Sequence, residues 1–164
     1  MKSDEELRKT FKIAVNDTNL IQVAIYSSES DEGDNGRQAE LVVEGIGQIV
    51  GADTSKTYKF LVDLSVSGTI HSLSPKARKA YESLGRFNNI DKAAVVGKSL
   101  FLEVTVNLIV QTLGRGSNFK WFENIDEARK WLAEGPWQVP ALQSKLLLVQ
   151  DKPGEFDSGC CRSS

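Results

Sequence analysis

The chain is poor in the residues that build metal centres and disulfide frameworks. Its 164 residues include one histidine and two cysteines. The single imidazole, on His71, excludes a metal site built from several histidines. Cys160 and Cys161 are adjacent, and a bridge between neighbours closes a strained ring, so they would be a poor staple for a fold. We therefore expect no metal site and no cofactor.

Long apolar runs and a strong net charge are also missing. No segment offers about 18 uninterrupted apolar residues, so we expect no membrane span. The formal net charge of −2 gives no general field for nucleic acid or for an anionic membrane. Residues 1–6 are polar and acidic, which is unlike a secretory signal. These features predict a cytoplasmic protein with no nucleic-acid partner, and the length favours one domain.

The first third of the chain predicts a β-hairpin, a loop and a helix. Two apolar runs, residues 10–15 and 20–26, flank an Asn/Asp-rich turn. Residues 27–36 are acidic and rich in turn formers, which is typical of an exposed loop rather than of a cation site. From 37 to 50 the apolar spacing indicates an amphipathic helix, which glycines at 45, 47 and 51 are expected to shorten or end.

Two short apolar runs predict strands that are buried on both faces. These runs are residues 58–64 and 93–97. Between them, Ser74 is a good N-cap and Pro75 suits the first helical turn, where its missing N–H costs nothing. We therefore expect a helix that begins at Pro75 and ends near Gly85.

Residues 99–113 fit two patterns. The even positions from 100 to 110 are apolar, as in a strand, whereas Ser99, Glu103, Asn107 and Gln111 form a polar stripe at helical spacing. The run exceeds the roughly 3–10 residues of most strands, so we favour a helix capped by Ser99 and ended by Gly114.

A helix with so narrow a polar stripe needs cover on most of its surface. It must be nearly engulfed, form a dimer surface, or provide the wall of an apolar ligand pocket. We take Phe101, Val104 and Leu108 as the candidate ligand or dimer surface.

Residues 120–132 read as an aromatic strand end, a cap and a short amphipathic helix. Asn124 can cap that helix, and Glu127 can reach back in the manner of a capping box. The order of elements is then β-β-α-β-α-β-α-β-α, which predicts a single α/β domain with a mixed, mostly parallel sheet of about five strands. We assign residues 10–135 to this domain, 1–9 to an N-terminal segment, and 136–164 to a C-terminal extension with a partly disordered tail.

Three segments, taken with this order, resemble the STAS domain superfamily. Residues 60–65 (FLVDLS) resemble the strand whose acidic end precedes the functional loop, and residues 93–98 (AAVVGK) resemble the next buried strand. Residues 122–132 (FENIDEARKWL) are similar to the closing helix of the SpoIIAA-like, or STAS/SEC14-like, branch. The resemblance covers roughly residues 10–134 and implies a STAS-like domain.

The resemblance implies a regulatory site and no catalytic residues. In anti-anti-sigma members of the superfamily, a partner kinase phosphorylates a serine at the start of the helix after the Asp-ended strand. The matching region here lacks the Asp-Ser-Ser-Gly pattern, although Ser72 or Ser74 could stand in. The candidate binding or regulatory residues are therefore Asp63, Ser65, His71, Ser72 and Ser74, and a plain helix cap is the other interpretation of Ser74.

The leading functional hypothesis is a non-enzymatic regulatory or protein-interaction module, which binds a protein partner or forms a homodimer. The alternative is a carrier or sensor of a small apolar or lipid-like ligand, suggested by residues 99–113 and by the SEC14-like association. A hydrolase that uses the region of His71 and Ser72 is a third, weaker hypothesis. An enclosed apolar pocket would favour the carrier, and a filled core with an exposed apolar patch would favour the interaction module.

Overall fold

After a short N-terminal helix that was not predicted, strands and helices follow in the order that the sequence predicts. The computed structural model describes residues 1–65, 73–112, 114 and 118–135. In these residues the elements are α1 (Asp4–Arg8), β1 (Phe11–Val15), β2 (Leu20–Ile25), α2 (Glu32–Ala52), β3 (Tyr58–Asp63), α3 (Pro75–Glu82), a 3₁₀ turn (Ser83–Arg86), β4 (Ile90–Val96), α4 (Leu100–Thr112), β5 (Phe119–Phe122) and α5 (Ile125–Ala133). The predicted extension from residue 136 onward lies outside the described residues.

The five strands form one mixed sheet in the order β1-β2-β3-β4-β5. β1 and β2 pair antiparallel as a hairpin, and the remaining pairs are parallel. The predicted fold class is therefore confirmed. Right-handed crossovers between parallel strands that are added in one direction place their connecting helices on one face of the sheet. α2, α3 and α4 are those connections, and α5 packs on the opposite face.

Successive side chains along each strand point alternately to the two faces of the sheet, as the pleat requires. In β3, Phe60 belongs to the core cluster beneath α2, whereas Leu61 belongs to a second cluster beneath α5. In β4, Ala94 and Val96 face α5 in the same way. Strands covered on both faces explain the nearly continuous apolar runs in the sequence.

Helix α2 is longer than predicted. It runs through the glycines that were expected to shorten or end it and continues to Ala52. Close packing supplies the physical reason. A Cβ on Gly36 would lie 2.6 Å from Lys76 of α3, and a Cβ on Gly45 would lie 2.6 Å from Ile13 of β1. These glycines let the helix approach its neighbours, and that burial outweighs their poor helix propensity.

The prediction of an exposed acidic loop at 27–36 is wrong at its C-terminal end. α2 begins at Glu32, and Asp34 and Asn35 are buried. Asp31 is the N-cap, and its carboxylate accepts a hydrogen bond from the Asp34 N–H at 2.9 Å. Acidic side chains are favourable at a helix N-terminus because they complement the free N–H groups and the helix dipole.

Helix α4 is confirmed, and its ends are those predicted. The Leu102 N–H donates to the Ser99 hydroxyl at 3.4 Å, and Gly114 follows the helix with a φ of 66°. Asn124 caps α5 by accepting from the Asp126 N–H at 2.8 Å. The reciprocal bond expected from Glu127 is not formed in the described chain, so the predicted capping box is incomplete.

Two lysines from the sheet donate hydrogen bonds to carbonyl groups at the C-terminal end of α5. The Lys59 ammonium donates to the Leu132 carbonyl at 2.6 Å, and the Lys92 ammonium donates to the Trp131 and Glu134 carbonyls, each at 3.3 Å. Lys92 is 3% exposed, and its ammonium also lies 4.9 Å from the centre of the Trp131 ring. These cations satisfy carbonyls that have no partner within the helix, and they oppose the negative end of its dipole.

Candidate functional site

A cavity of about 190 Å³ lies between the sheet and the three helices on its α2 side. The floor is made by side chains of β2, β3 and β4, such as Val23, Val62 and Val95. The walls are formed by side chains of the three helices: Val42 and Ile46 of α2, Ala77 and Tyr81 of α3, and Leu102, Val106, Ile109 and Val110 of α4. This cavity is the candidate functional site.

The cavity exists because small residues stand where large ones would fill the interior. Ala77 of α3, Gly85 after it and Ala93 of β4 all line the space. α4 packs chiefly against α3 rather than against the strands. The inner side chains of α4 therefore border open volume instead of meeting the sheet directly.

Polar groups occur at the two ends of the cavity, and its middle is apolar. Ser28, Asn35 and Gln38 lie at the carboxyl end of the strands, where β2 leads into α2. Tyr81, Asp91 and Asn118 lie toward the amino end, where β4 and β5 begin. Among the described residues, the lining contains no lysine, arginine or histidine.

The two amides at the carboxyl end are bonded to the protein itself. The Asn35 carbonyl oxygen accepts from the Ser74 N–H at 2.9 Å, and its amide N–H donates to the Glu29 carbonyl at 3.3 Å. The Gln38 amide donates to the Thr10 hydroxyl at 2.6 Å and to the Ser27 carbonyl at 2.8 Å. These bonds join α2 to α3 and to the hairpin, so we assign them a structural role.

Tyr81 differs from those amides. Its ring packs against the core, and burial raises the pKa of its hydroxyl to about 12. The hydroxyl forms no hydrogen bond with any residue in the described ranges. It therefore stays protonated at neutral pH.

Of the predicted regulatory residues that the structure describes, none of Asp63, Ser65 and Ser74 lines this cavity. Asp63 is bonded locally, since its carboxylate accepts from both the N–H and the hydroxyl of Ser65. By the alternation along β3, Asp63 points to the α5 face, opposite the cavity. His71 and Ser72 lie outside the described residues. Ser74 is buried at the start of α3, where its hydroxyl accepts from the Ala77 N–H at 3.1 Å.

The predicted ligand or dimer residues lie on the outer side of α4. Phe101, Val104 and Leu108 are 55%, 60% and 57% exposed, and Leu100 beside them is 75% exposed. We call these four residues the outer stripe. Different residues of α4 line the cavity, so this helix is apolar on two sides. The apolar even positions in the sequence indicated two apolar sides, because at helical spacing they fall on more than one face of the helix.

Two classes of site find no support in the described chain. It holds no cluster of three or more histidine, cysteine, aspartate or glutamate side chains arranged to bind a metal ion. It also holds no helix that combines the length and the apolar character needed to cross a bilayer.

Replacing Ser74 with alanine is expected to destabilise the fold. The change removes the N-cap bond of α3, which is worth about 1 kcal/mol at typical caps. Ser74→Asp retains a capping oxygen and should keep more of the stability. Urea unfolding of both variants, with exposed Ser65→Ala as the control, measures the effect. Equal stability of Ser74→Ala and the wild type would contradict the capping role.

Stability is expected to fall as the pH rises above 10, and Tyr81 is expected to contribute. An unfolded tyrosine ionises near pH 10, whereas burial holds the folded-state pKa of Tyr81 at about 12. The unfolded state therefore loses its proton first and is favoured between these values. At about pH 11 the wild type should lose about 1 kcal/mol more than Tyr81→Phe, relative to pH 9.

Urea unfolding at the two pH values measures this difference. Tyr26→Phe is the matched control, because Tyr26 is 45% exposed. If Tyr81→Phe loses as much stability as the wild type, Tyr81 is not shielded from solvent in the folded protein.

A family model described as SpoIIAA-like matches residues 34–133 of the chain. No curated protein matches the chain. The matched region begins in the first turn of α2 and ends at the last residue of α5, so it includes β3, β4, β5 and the three helices that border the cavity. Domains of this STAS type are typically regulatory, of the anti-sigma antagonist kind, and are generally not enzymes. With the matched region covering more than half of its length, this chain belongs to the SpoIIAA-like family.

Proposed function

We propose that this protein is a non-enzymatic regulatory module that binds a small apolar ligand in the cavity between the sheet and α2, α3 and α4. The observation that carries the proposal is the cavity itself, which is lined almost wholly by apolar side chains and measures about 190 Å³. This is the second of the three functions that the sequence suggested, and the geometry favours it over a purely protein-binding role.

The size of the cavity supports a ligand role. An engineered apolar cavity of about 150 Å³ in another protein stays dry and binds benzene. Apolar side chains that border this space lack packing partners there, which costs free energy in the unliganded state. A ligand that fills the cavity recovers part of that free energy and stabilises the folded state.

The position of the cavity supports a regulatory role. α4 borders the cavity with one side and carries the outer stripe on the other. A ligand in the cavity therefore contacts the helix that carries four of the seven large hydrophobic side chains exposed in the described residues. Occupancy of the cavity by a ligand and recognition of the outer stripe by another protein surface would be linked through α4. Such a link suits a sensor better than a simple carrier.

Ala93→Leu is expected to stabilise the unliganded protein and to abolish ligand binding. The larger side chain enters the cavity from β4, and cavity-filling substitutions commonly add about 0.5–2 kcal/mol. Ethylbenzene is a suitable probe because its size is close to that of benzene. Titration followed by NMR shifts of the α4 amides measures binding, and urea unfolding measures stability.

Ala24→Leu provides the matched control for this experiment. Ala24 lies on β2 but faces the opposite side of the sheet, since its neighbours Val23 and Ile25 face the core. It should leave ethylbenzene binding unchanged. Failure of the wild type to bind ethylbenzene, or unchanged binding by Ala93→Leu, would contradict the proposal.

Self-association through the outer stripe is the second candidate function. The stripe is uncharged and apolar, so a second copy of the chain offers a surface of matching character, as in a two-fold symmetric dimer. Four side chains form only the centre of an interface, since stable interfaces use about 20–30 residues on each side. We therefore propose a weak dimer that forms reversibly with concentration.

Val104→Glu is expected to keep the protein monomeric. A carboxylate at the centre of the stripe would face its own copy across the two-fold axis, and burying it there is unfavourable. Sedimentation velocity over a range of concentrations measures the dimer fraction. Val15→Glu, at an exposed valine of β1, is the control. A wild type that stays monomeric at high concentration would contradict self-association.

A further inference from the structure

We infer that the apolar run at residues 146–149 docks on the outer stripe of its own chain and keeps that surface from a second copy. The run reads Leu-Leu-Leu-Val and lies outside the described residues. The docking does not depend on a ligand in the cavity. Its regulatory consequence rests on the self-association proposed above, because the docked run and a second copy compete for one surface.

The outer stripe is the largest group of exposed apolar side chains on one element of the described chain. Seven large hydrophobic side chains are exposed there, and the four of the stripe are each more than half exposed. Spacings of three and four residues from Phe101 to Val104 and Leu108 put these side chains on one side of α4. Single exposed apolar residues are ordinary, whereas a contiguous group marks an interaction surface.

The run at 146–149 matches the stripe in character and in length. It is the longest series of consecutive large aliphatic side chains in residues 136–164, and Lys145 and Gln150 bracket it with polar groups. From residue 100 to residue 108 a helix rises about 12 Å. Four extended residues span about 13 Å. An uncharged aliphatic run of this length can therefore cover the whole stripe.

The chain leaves the described domain at the end of the sheet where α4 also ends. Lys59 and Lys92, near the starts of β3 and β4, donate to the last carbonyls of α5, so α5 ends at the amino end of the strands. α4 ends there too, because it leads into the start of β5. Residues 136–145 extend over at most about 33 Å, which is roughly three helix widths. This length passes from α5 around the β5 edge to the outer side of α4.

Tethering decides between this run and a second copy of the chain. A segment on a short flexible linker has an effective concentration in the millimolar range, so a second copy at about ten micromolar is roughly a hundredfold less available. The monomer with its own run docked is therefore favoured in dilute solution. This competition also gives a reason for a weak dimer.

Paramagnetic NMR on the full chain tests the docking. A nitroxide is attached to Gln150→Cys in a chain that also carries Cys160→Ser and Cys161→Ser, which removes the two native cysteines. We expect the label to broaden the amide signals of residues 100–108. The signals of β1, at the far edge of the sheet, should be unchanged.

The disrupting variant combines Leu147→Asp with Leu148→Asp. Burying two carboxylates against an apolar stripe is unfavourable, so the broadening at α4 should disappear when these changes are added to the labelled chain. The matched control combines Gln143→Asp with Ser144→Asp. It adds the same charge outside the run and should keep the broadening.

Sedimentation velocity of the unlabelled chains measures the regulatory consequence. The disrupting variant should dimerise at least about tenfold more tightly than the wild type, because the tethered competitor is lost. The matched control should associate as the wild type does. Added like charge ordinarily opposes self-association, so an increase has the opposite sign to a general charge effect.

Three results would overturn the inference. The first is broadening at residues 100–108 that is absent or that persists in the disrupting variant. The second is broadening that arises only between chains, in a mixture of the labelled chain with an unlabelled ¹⁵N chain. The third is a wild type that dimerises as tightly as the disrupting variant. If both chains stay monomeric while the broadening at α4 behaves as expected, self-association fails and the docking stands.

Discussion

The constraint on which the rest of this structure depends is the placement of α2, α3 and α4 on one face of the sheet. Parallel strands added in sequence order, joined by right-handed crossovers, leave no other arrangement. α2 covers the hairpin side closely, with glycines at its contacts with α3 and β1. α4, the last of the three, packs chiefly on α3. The space beneath it is the cavity, so the candidate site follows from the topology as well as from its lining residues.

On the opposite face of the sheet, α5 packs directly against the strands. α5 is held by an apolar cluster of β3, β4 and β5 and by the ammonium groups of Lys59 and Lys92 at its C-terminal carbonyls. Charge and apolar burial therefore fix one side of the sheet. The other side keeps a volume of about 190 Å³ that its own residues do not fill. This asymmetry is why the functional proposals concern the α4 side.

Local patterns predicted much of the fold but little of the site. Ser74 and Pro75 were sufficient to predict the start of α3, and Asn124 was sufficient to predict the start of α5. Caps can be predicted because they bond to residues that are near in sequence. The burial of Asn35 could not be predicted, because its partner Ser74 is 39 residues away. The continuation of α2 through Gly45 depends on Ile13, which is also remote in sequence. The prediction that Asp63 belongs to a candidate site remains untested.

The sequence by itself determined the order of elements, the apolar character of residues 99–113 and the closing segment on which the family resemblance rests. Each of these follows from spacing within a few residues, where propensity, capping and periodicity act. Only the tertiary structure decided which side of α4 faces inward and that a cavity lies beneath it. Those features depend on how distant elements pack together, because a cavity is formed by side chains from several strands and helices and belongs to none of them alone.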